Sequence, residues 1–393
     1  MREIYSDVNI IGGGLIGAVC AYSLSKLDFK ISILEKNPVF NSKKNYSDKR
    51  TVAISEGTKQ FLDTLGLWRE IRNFSEPIKK IKIIDRADSN FLEFDNVRRK
   101  SNLGYIVKNR DLLNVIYKNL QKSKNITMLN NVKINKIDCS SEQILINAKN
   151  FTINSQLNIA ADGKNSFVKR LLKTPFFKKK YNKKAIVINF AHTKNHNNTA
   201  YEFFFNEGPL AILPMQKNTK NFLSSIVWTN DCNYVDNLFR MDEKKIISIL
   251  NQKTNLCLGK ITKLFSKQQF PLSAHLNSKF YENRTIYIGD CAHSFHPIAG
   301  QGWNLGMKDV AKLYKLSKEY KNLGMCIGDK IFCKKYHDQT FYEAYTLYQL
   351  TDKIDNLFKQ KNYLSSFLRS KGIRFIQTNS KIKNIISDFA MGF

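Results

Sequence analysis

The sequence is short of several things, and each shortage excludes a class. No stretch approaches the roughly 18 consecutive apolar residues of a membrane-spanning helix, and the apolar runs are brief, such as Val8–Leu15. With 7 Pro and 18 Gly in 393 residues, collagen-like and low-complexity chains drop out. Cysteine is sparse and scattered, at Cys20, Cys139, Cys232, Cys257, Cys291, Cys326 and Cys333. An odd number without C-x-x-C or a finger-spaced His pair argues for free thiols in a reducing compartment, not a disulfide framework or a zinc site. Met1–Asp7 carries no apolar segment and no Arg-rich extension precedes the first strand. The expectation is therefore a protein of a bacterial-type cytoplasm. Acids are outnumbered, 33 Asp and Glu against 63 Lys and Arg, for a net charge of +30. Such an excess invites a polyanion partner, but the lysines are spread along the chain as solvated decoration would be, and no nucleic-acid module is recognisable.

What is present begins at the amino terminus. Val8-Asn9-Ile10-Ile11 reads as a strand, followed by Gly12-Gly13-Gly14-Leu15-Ile16-Gly17, a G-x-G-x-x-G. Leu15, Ala18, Val19 and Tyr22 then form one apolar helical stripe. Lys30–Leu34 reads as a second strand ending in Glu35, about twenty residues beyond the glycines as a dinucleotide fold requires. Gly12 suits the turn, Gly14 a close approach to pyrophosphate, and Gly17 tight packing of helix on strand. Glu35 can accept from ribose hydroxyls and would repel a 2′-phosphate, so FAD or NAD is favoured over NADP as the resident nucleotide.

Two further strand-to-loop transitions follow. Leu157–Ala161 leads into Asp162-Gly163-Lys164-Asn165-Ser166, and Thr285–Ile288 into Gly289-Asp290-Cys291-Ala292-His293, then His296-Pro297-Ile298-Ala299-Gly300-Gln301-Gly302-Trp303-Asn304-Leu305-Gly306. A carboxylate before a Gly-rich helix entrance can bind a ribityl chain, while backbone amides near Gly300–Asn304 can face the electron-rich edge of a flavin.

With these motifs the sequence resembles the FAD-dependent aromatic hydroxylases, the group A flavoprotein monooxygenases, and within them the ubiquinone-biosynthesis branch. The likeness also takes in Asp48–Ser55, Leu65-Gly66-Leu67-Trp68, Leu103–Val107, Gly208–Pro214, Phe270-Pro271-Leu272 and the closing Ala390-Met391-Gly392-Phe393. Departures are Trp303 and Cys291, where the family often has smaller or other residues, and Lys169 at a common Arg position, with Arg170 adjacent.

The resemblance implies an α/β architecture: a Rossmann-like, glutathione-reductase-type FAD-binding domain from 1–75, 100–175 and 273–323, interrupted by a β-sheet substrate domain from 76–99 and 176–272, with C-terminal helices over 324–393. It implies that NAD(P)H reduces the flavin, that O2 adds to form a C4a-hydroperoxide, and that a polyprenylated phenol is hydroxylated. Carried over by position, Gly12, Gly14, Gly17 and Glu35 hold the ADP half, Asp162 lies near the pyrophosphate and Arg50 near the flavin. Gly289 and Asp290 take the ribityl chain, and Gly300, Gly302 and Asn304 complete the flavin site. Pro297, Gly300, Gln301 and Gly302 line the ring at the oxygen site; His296 is a candidate for assisting a proton transfer, and no metal is expected. Phe203–Phe205, Leu213, Pro214 and Trp228 are candidate pocket walls, the alternative being a plain core stripe.

The end of the chain reads as an amphipathic helix, with Ile382, Ile385, Ile386 and Phe389 on one face after a cap-like Asn379-Ser380. Leu364, Phe367 and Leu368 share a face before it. Five bases, Arg369, Lys371, Arg374, Lys381 and Lys383, stand against Asp388 alone. Peripheral contact with an anionic membrane or with other proteins of the pathway is one reading, docking on its own domain the other. Two alternatives to the hydroxylase stay open: another flavoenzyme of the same fold, acting on soluble aromatics or prenyl chains, and a non-catalytic flavin-binding scaffold.

Overall fold

The protein is described by a computed structural model covering residues 2–37, 48–85, 91–95, 101–218, 220–295, 300–359, 371–372 and 374–392. At its centre is a six-stranded sheet in the order Tyr281–Glu282, Thr285–Tyr287, Leu157–Ala160, Val8–Ile11, Ile31–Leu34, Ile126–Leu129. All neighbours are parallel except the terminal Tyr281–Thr285 hairpin. Val8–Ile11, Ile31–Leu34 and Leu157–Ala160 are buried at every position, as parallel strands covered on both faces must be. The Leu15–Ser25 helix is buried from Gly17 onward, not along one stripe. The difference has a cause: besides the sheet, it packs against Asn109–Lys122 and Gln301–Asn322, so three sides are covered.

A four-stranded sheet, Arg2–Tyr5, Phe151–Ser155, Ile144–Ala148 and Ile134–Cys139, flanks this half. A second layer is the eight-stranded sheet ordered His293–Ser294, Ile261–Asn277, Phe176–His192, Phe222–Asp231, Gly208–Met215, Thr199–Phe205, Lys80–Asp85, Phe91–Asp95. Two of its strands, Phe176–His192 and Ile261–Asn277, run for 17 residues each. At its end the latter pairs with His293–Ser294, His275 opposite Ser294, which ties the Gly289-Asp290 turn to the sheet.

Helices Cys232–Arg240 and Glu243–Thr254 cover one face of this sheet. Asp242 starts the second by accepting from Lys245 N at 2.9 Å. Between the other face and the nucleotide half lies the three-stranded sheet Thr51–Ser55, Gly104–Lys108, Ser75–Ile78. The contact is an apolar cluster that includes Ile78, Leu103, Ile106, Ala191, Met215 and Leu223.

The last helix, Ser380–Met391, begins where the sequence predicts, Asn379 Oδ1 accepting from Ile382 N at 3.2 Å. It is anchored by its far end. Met391 is 2% exposed within that apolar cluster, and a Cβ on Gly57 would lie 2.7 Å from the Gly392 carbonyl. Ile385, Ile386 and Phe389 nevertheless stay exposed, as does Phe375. Leu364, Phe367, Leu368 and Arg369 lie outside the described residues.

Candidate cofactor and substrate site

The glycines divide the labour of the first turn. Gly12 has φ +110°, and a Cβ there would lie 2.4 Å from Ala161 O; a Cβ on Gly17 would lie 2.0 Å from Gly12 O. Both positions are closed by backbone, so only glycine lets helix, turn and neighbouring strand meet. Gly14 differs: its side is open, and a Cβ there would meet nothing within 4 Å. Its exposed backbone sits at the helix amino end, where an anion is favoured. Glu35 is buried beside the turn, accepting from Gly13 N at 2.8 Å and Asn37 N at 3.0 Å. Its remaining lone pairs are available to ribose hydroxyls. Tyr117 adds a bond to Gly13 O that sequence reasoning did not find.

Asp162 works on its own loop. Its Oδ2 accepts from Phe167 N at 2.6 Å and Val168 N at 3.2 Å, and Cys291 Sγ lies 3.3 Å from Oδ1. The carboxylate thus holds the start of the Phe167–Leu171 helix against the Gly289-Asp290 turn. Lys169 is buried with its ammonium 4.4 Å from the Phe176 ring centre, and burial lowers its pKa.

Asp290 behaves otherwise. Burial pushes its carboxyl up, against the lowering pull of His293, Lys164 and Arg50, yet its side chain is exposed. A carboxyl surrounded by protein yet open to solvent can accept from the hydroxyls of a bound polyol. The turn that presents it, Gly289 at φ +58°, is fixed by Asp309: Oδ2 accepts from Gly289 N at 2.9 Å and meets His293 Nε2 at 2.7 Å. His293 is thereby a buried brace of the turn, 1% exposed. Asp309 was missed from the sequence although it left a signal, an acid inside the apolar stripe Leu305, Asp309, Leu313, Leu316, Tyr320. Lys164, also missed, donates to Ser273 O at 2.6 Å.

Gly300 is the left-handed cap of the Gln301–Asn322 helix, and a Cβ on it would lie 3.7 Å from Ala53 Cβ. Gln301 and Gly302 follow, partly accessible. Asn304 is held at both ends of its amide: Oδ1 accepts from Ser55 N at 3.0 Å and Thr58 Oγ1 at 3.0 Å, while Nδ2 donates to Ala53 O at 2.9 Å. Its side chain stitches the helix start to the Thr51–Ser55 strand. Arg50, at the head of that strand, forks onto Asp48 at 2.8 and 2.7 Å and stacks 4.9 Å from the Phe270 ring centre. His296 and Pro297 lie outside the described residues.

Gly14 has open space beside its backbone, Glu35 keeps lone pairs free beside the glycine turn, and the Asp290 carboxyl is accessible; these are the kinds of group that a dinucleotide cofactor needs. The comparison that decides the matter is with known families: a family model described as FAD binding domain matches residues 5–324. The chain belongs to this family. It is an FAD-dependent monooxygenase, and NAD(P)H is the electron donor typical of the family. Relatives of the FAD-binding family extend the likeness end to end. Ubiquinone hydroxylase UbiL of Rhodospirillum rubrum is 27% identical over 389 residues, covering 98% of this chain and 90% of its own. Ubiquinone hydroxylase UbiM of Neisseria meningitidis is 24% identical, covering 98% and 84%. Among solved structures, p-nitrophenol 4-monooxygenase PnpA from Pseudomonas putida has a TM-score of 0.80 at 17% identity, covering 100% of this chain and 98% of that one, and shares the fold.

The candidate pocket walls separate by face. Phe203 and Trp228, with Phe205, pack into the core under the two helices, so they are core and not pocket. Leu213 belongs to the apolar cluster on the nucleotide side.

Proposed function

We propose that this monooxygenase hydroxylates a phenol ring bearing a polyprenyl chain, as a step of ubiquinone biosynthesis. The observation that carries the reading is the likeness to ubiquinone hydroxylases over 98% of the chain. FAD, once reduced by NAD(P)H, supplies the activation of O2 and the oxygen atom that enters the ring. The chain's own residues bind, orient and keep water out. In this reading 1–75, 100–175 and 273–323 form the cofactor-binding part, 76–99 and 176–272 the substrate platform, and 324–393 a helical cover. Gly12, Gly14, Gly17 and Glu35 receive the ADP half, Asp290 the ribityl hydroxyls, and the backbone of Gly300–Gly302 the ring. Asp309, through Gly289 and His293, holds Asp290 in place, and Asn304 holds the helix start beside Ala53. The half-buried face of the large sheet opposite supplies an apolar seat for the phenol.

A prenyl tail belongs in a membrane, and the exposed end of the chain is suited to meet one. Ile385, Ile386, Phe389 and Phe375 are uncovered, with Lys371, Arg374, Lys381 and Lys383 among them. No described helix is long and apolar enough to cross a membrane. The test is direct. FAD-loaded protein should oxidise NAD(P)H faster when a short-chain prenyl phenol is added and yield a product heavier by one oxygen; no phenol-dependent oxidation would refute the reading. Flotation with anionic liposomes should be lost in a chain ending at Tyr363.

A further inference from the structure

Along Thr199–Phe205 the side chains alternate. Tyr201, Phe203 and Phe205 stack on one another, ring centres 6.1 and 6.2 Å apart, on the helix-covered face. Glu202 must therefore point the other way, with Ala200, which lies in the cluster on the nucleotide side. Its row across the sheet is set by register: Ile83, Glu202, Ala211, Val227, Val187, Gln268. Gln268 closes the row by accepting from Lys49 N at 3.3 Å, in the segment that leads into Arg50 and the Thr51–Ser55 strand. One carboxyl thus stands in an otherwise uncharged row, part accessible though deep, on the face that looks toward the flavin half. No described residue donates to it.

We infer that Glu202 contacts the substrate, its carboxylate accepting the proton of the ring hydroxyl. The inference rests on the phenol reading above and adds a catalytic residue to it. The phenol O–H bond breaks and an O–H bond forms on Glu202, leaving the electron pair on the phenol oxygen and an electron-rich ring for oxygen transfer. The oxygen atom comes from O2 and the reducing electrons from NAD(P)H. When the hydroxylated carbon has lost its own hydrogen as a proton, Glu202 returns the first proton to the phenol oxygen, so the carboxylate is regenerated.

The electrostatics suit that task. Burial alone pushes Glu202 up to about 8, close to the working pH a general base needs. The charged groups of the elements packed around it are occupied elsewhere or contribute nothing. Asp85 lies two pairs along, opposite Phe204. Glu76, on the facing three-stranded sheet, accepts from Asn198 at 2.5 Å, and Arg50 pairs with Asp48. On the long helix Lys330–Lys359, Glu343 is held by Lys308 and Lys312, and Asp352 by Lys179.

The experiment compares wild type, Glu202→Gln and Glu202→Asp, all FAD-loaded, by the pH profile of kcat/KM for hydroxylation of a short-chain prenyl phenol. Wild type should rise with pH to a plateau above about 8. Glu202→Gln should lose that limb and fall about 100-fold on the plateau, with flavin content unchanged. Glu202→Asp should keep the limb at a reduced plateau. An unaltered limb in Glu202→Gln overturns this inference alone, whereas a wild type that hydroxylates no phenol overturns the functional reading and the inference with it.

Discussion

The two faces of the eight-stranded sheet are built from the same strands and do opposite work. On the helix-covered face Ile186, Ile188, Leu210, Ile212, Ile226 and Trp228 are essentially inaccessible. On the face toward the nucleotide half, Ala211, Leu213 and Val227, their immediate neighbours, are only half buried although another layer lies opposite. In the proposed reading these half-buried small aliphatic groups are where a ring substrate would sit. The faces differ in side-chain size and in the carboxyls of Glu202 and Asp85 on the second, not in backbone. In the proposed reading stability rests on the first face and chemistry on the second.

That contrast breaks if substitutions on the two faces have the same effect. Trp228→Ala, on the covered face, should cost about 3–5 kcal/mol in urea unfolding of the FAD-loaded protein, leaving the pH dependence of turnover as it was. Removing the buried acceptor by Asp309→Ala should cost about 1–3 kcal/mol and loosen FAD, read by fluorescence titration, because Gly289 N and His293 lose their common partner. Enlarging Ala211 to Leu, on the open face, should leave stability within about 1 kcal/mol and raise the KM for the phenol several-fold, whereas a like increase at Ile226 should lower stability. Glu202 gives a smaller but signed effect. A carboxyl raised in the folded state binds more protons folded than unfolded, so its contribution to stability falls as pH rises from the ordinary carboxylate range through about 8. Glu202→Gln should lessen that fall, measured by urea midpoints from pH 5 to pH 9. The smallest effect on stability should come from replacing Ile385 and Phe389 by Ser together, within about 0.5 kcal/mol, while liposome binding drops.

Much of the nucleotide half was legible because its chemistry is done by backbone. Gly12 and Gly17 are required by the turn and by tight packing, constraints local enough to be read from spacing, and Glu35 follows at the end of the next strand. The braces were not legible. Asp309 acts on the Gly289 turn and Tyr117 on the Gly13 turn, each from a helix distant in sequence, and the trace each leaves is a polar group where packing wants an apolar one. Of the two readings the sequence leaves open for Phe203 and Trp228, pocket wall or core stripe, register decides for core by sending them to the helix-covered face. The period of two that buried them is the same rule that turns Glu202 outward to the flavin side. The buried contact of Met391 and the exposed Ile385–Phe389 face show that the last helix is held by its tip, a combination that an amphipathic pattern alone does not distinguish from full docking.

In the proposed reaction, oxygen from O2 is delivered to a phenol seated between the Gly300–Gly302 turn and the open face of the large sheet. Turnover of FAD-loaded protein with a short-chain prenyl phenol under isotopically heavy O2, followed by mass spectrometry of the ring product, tests it most directly. One heavy oxygen atom in the phenol is the result expected; NAD(P)H consumption with only hydrogen peroxide formed and the phenol unchanged would contradict it.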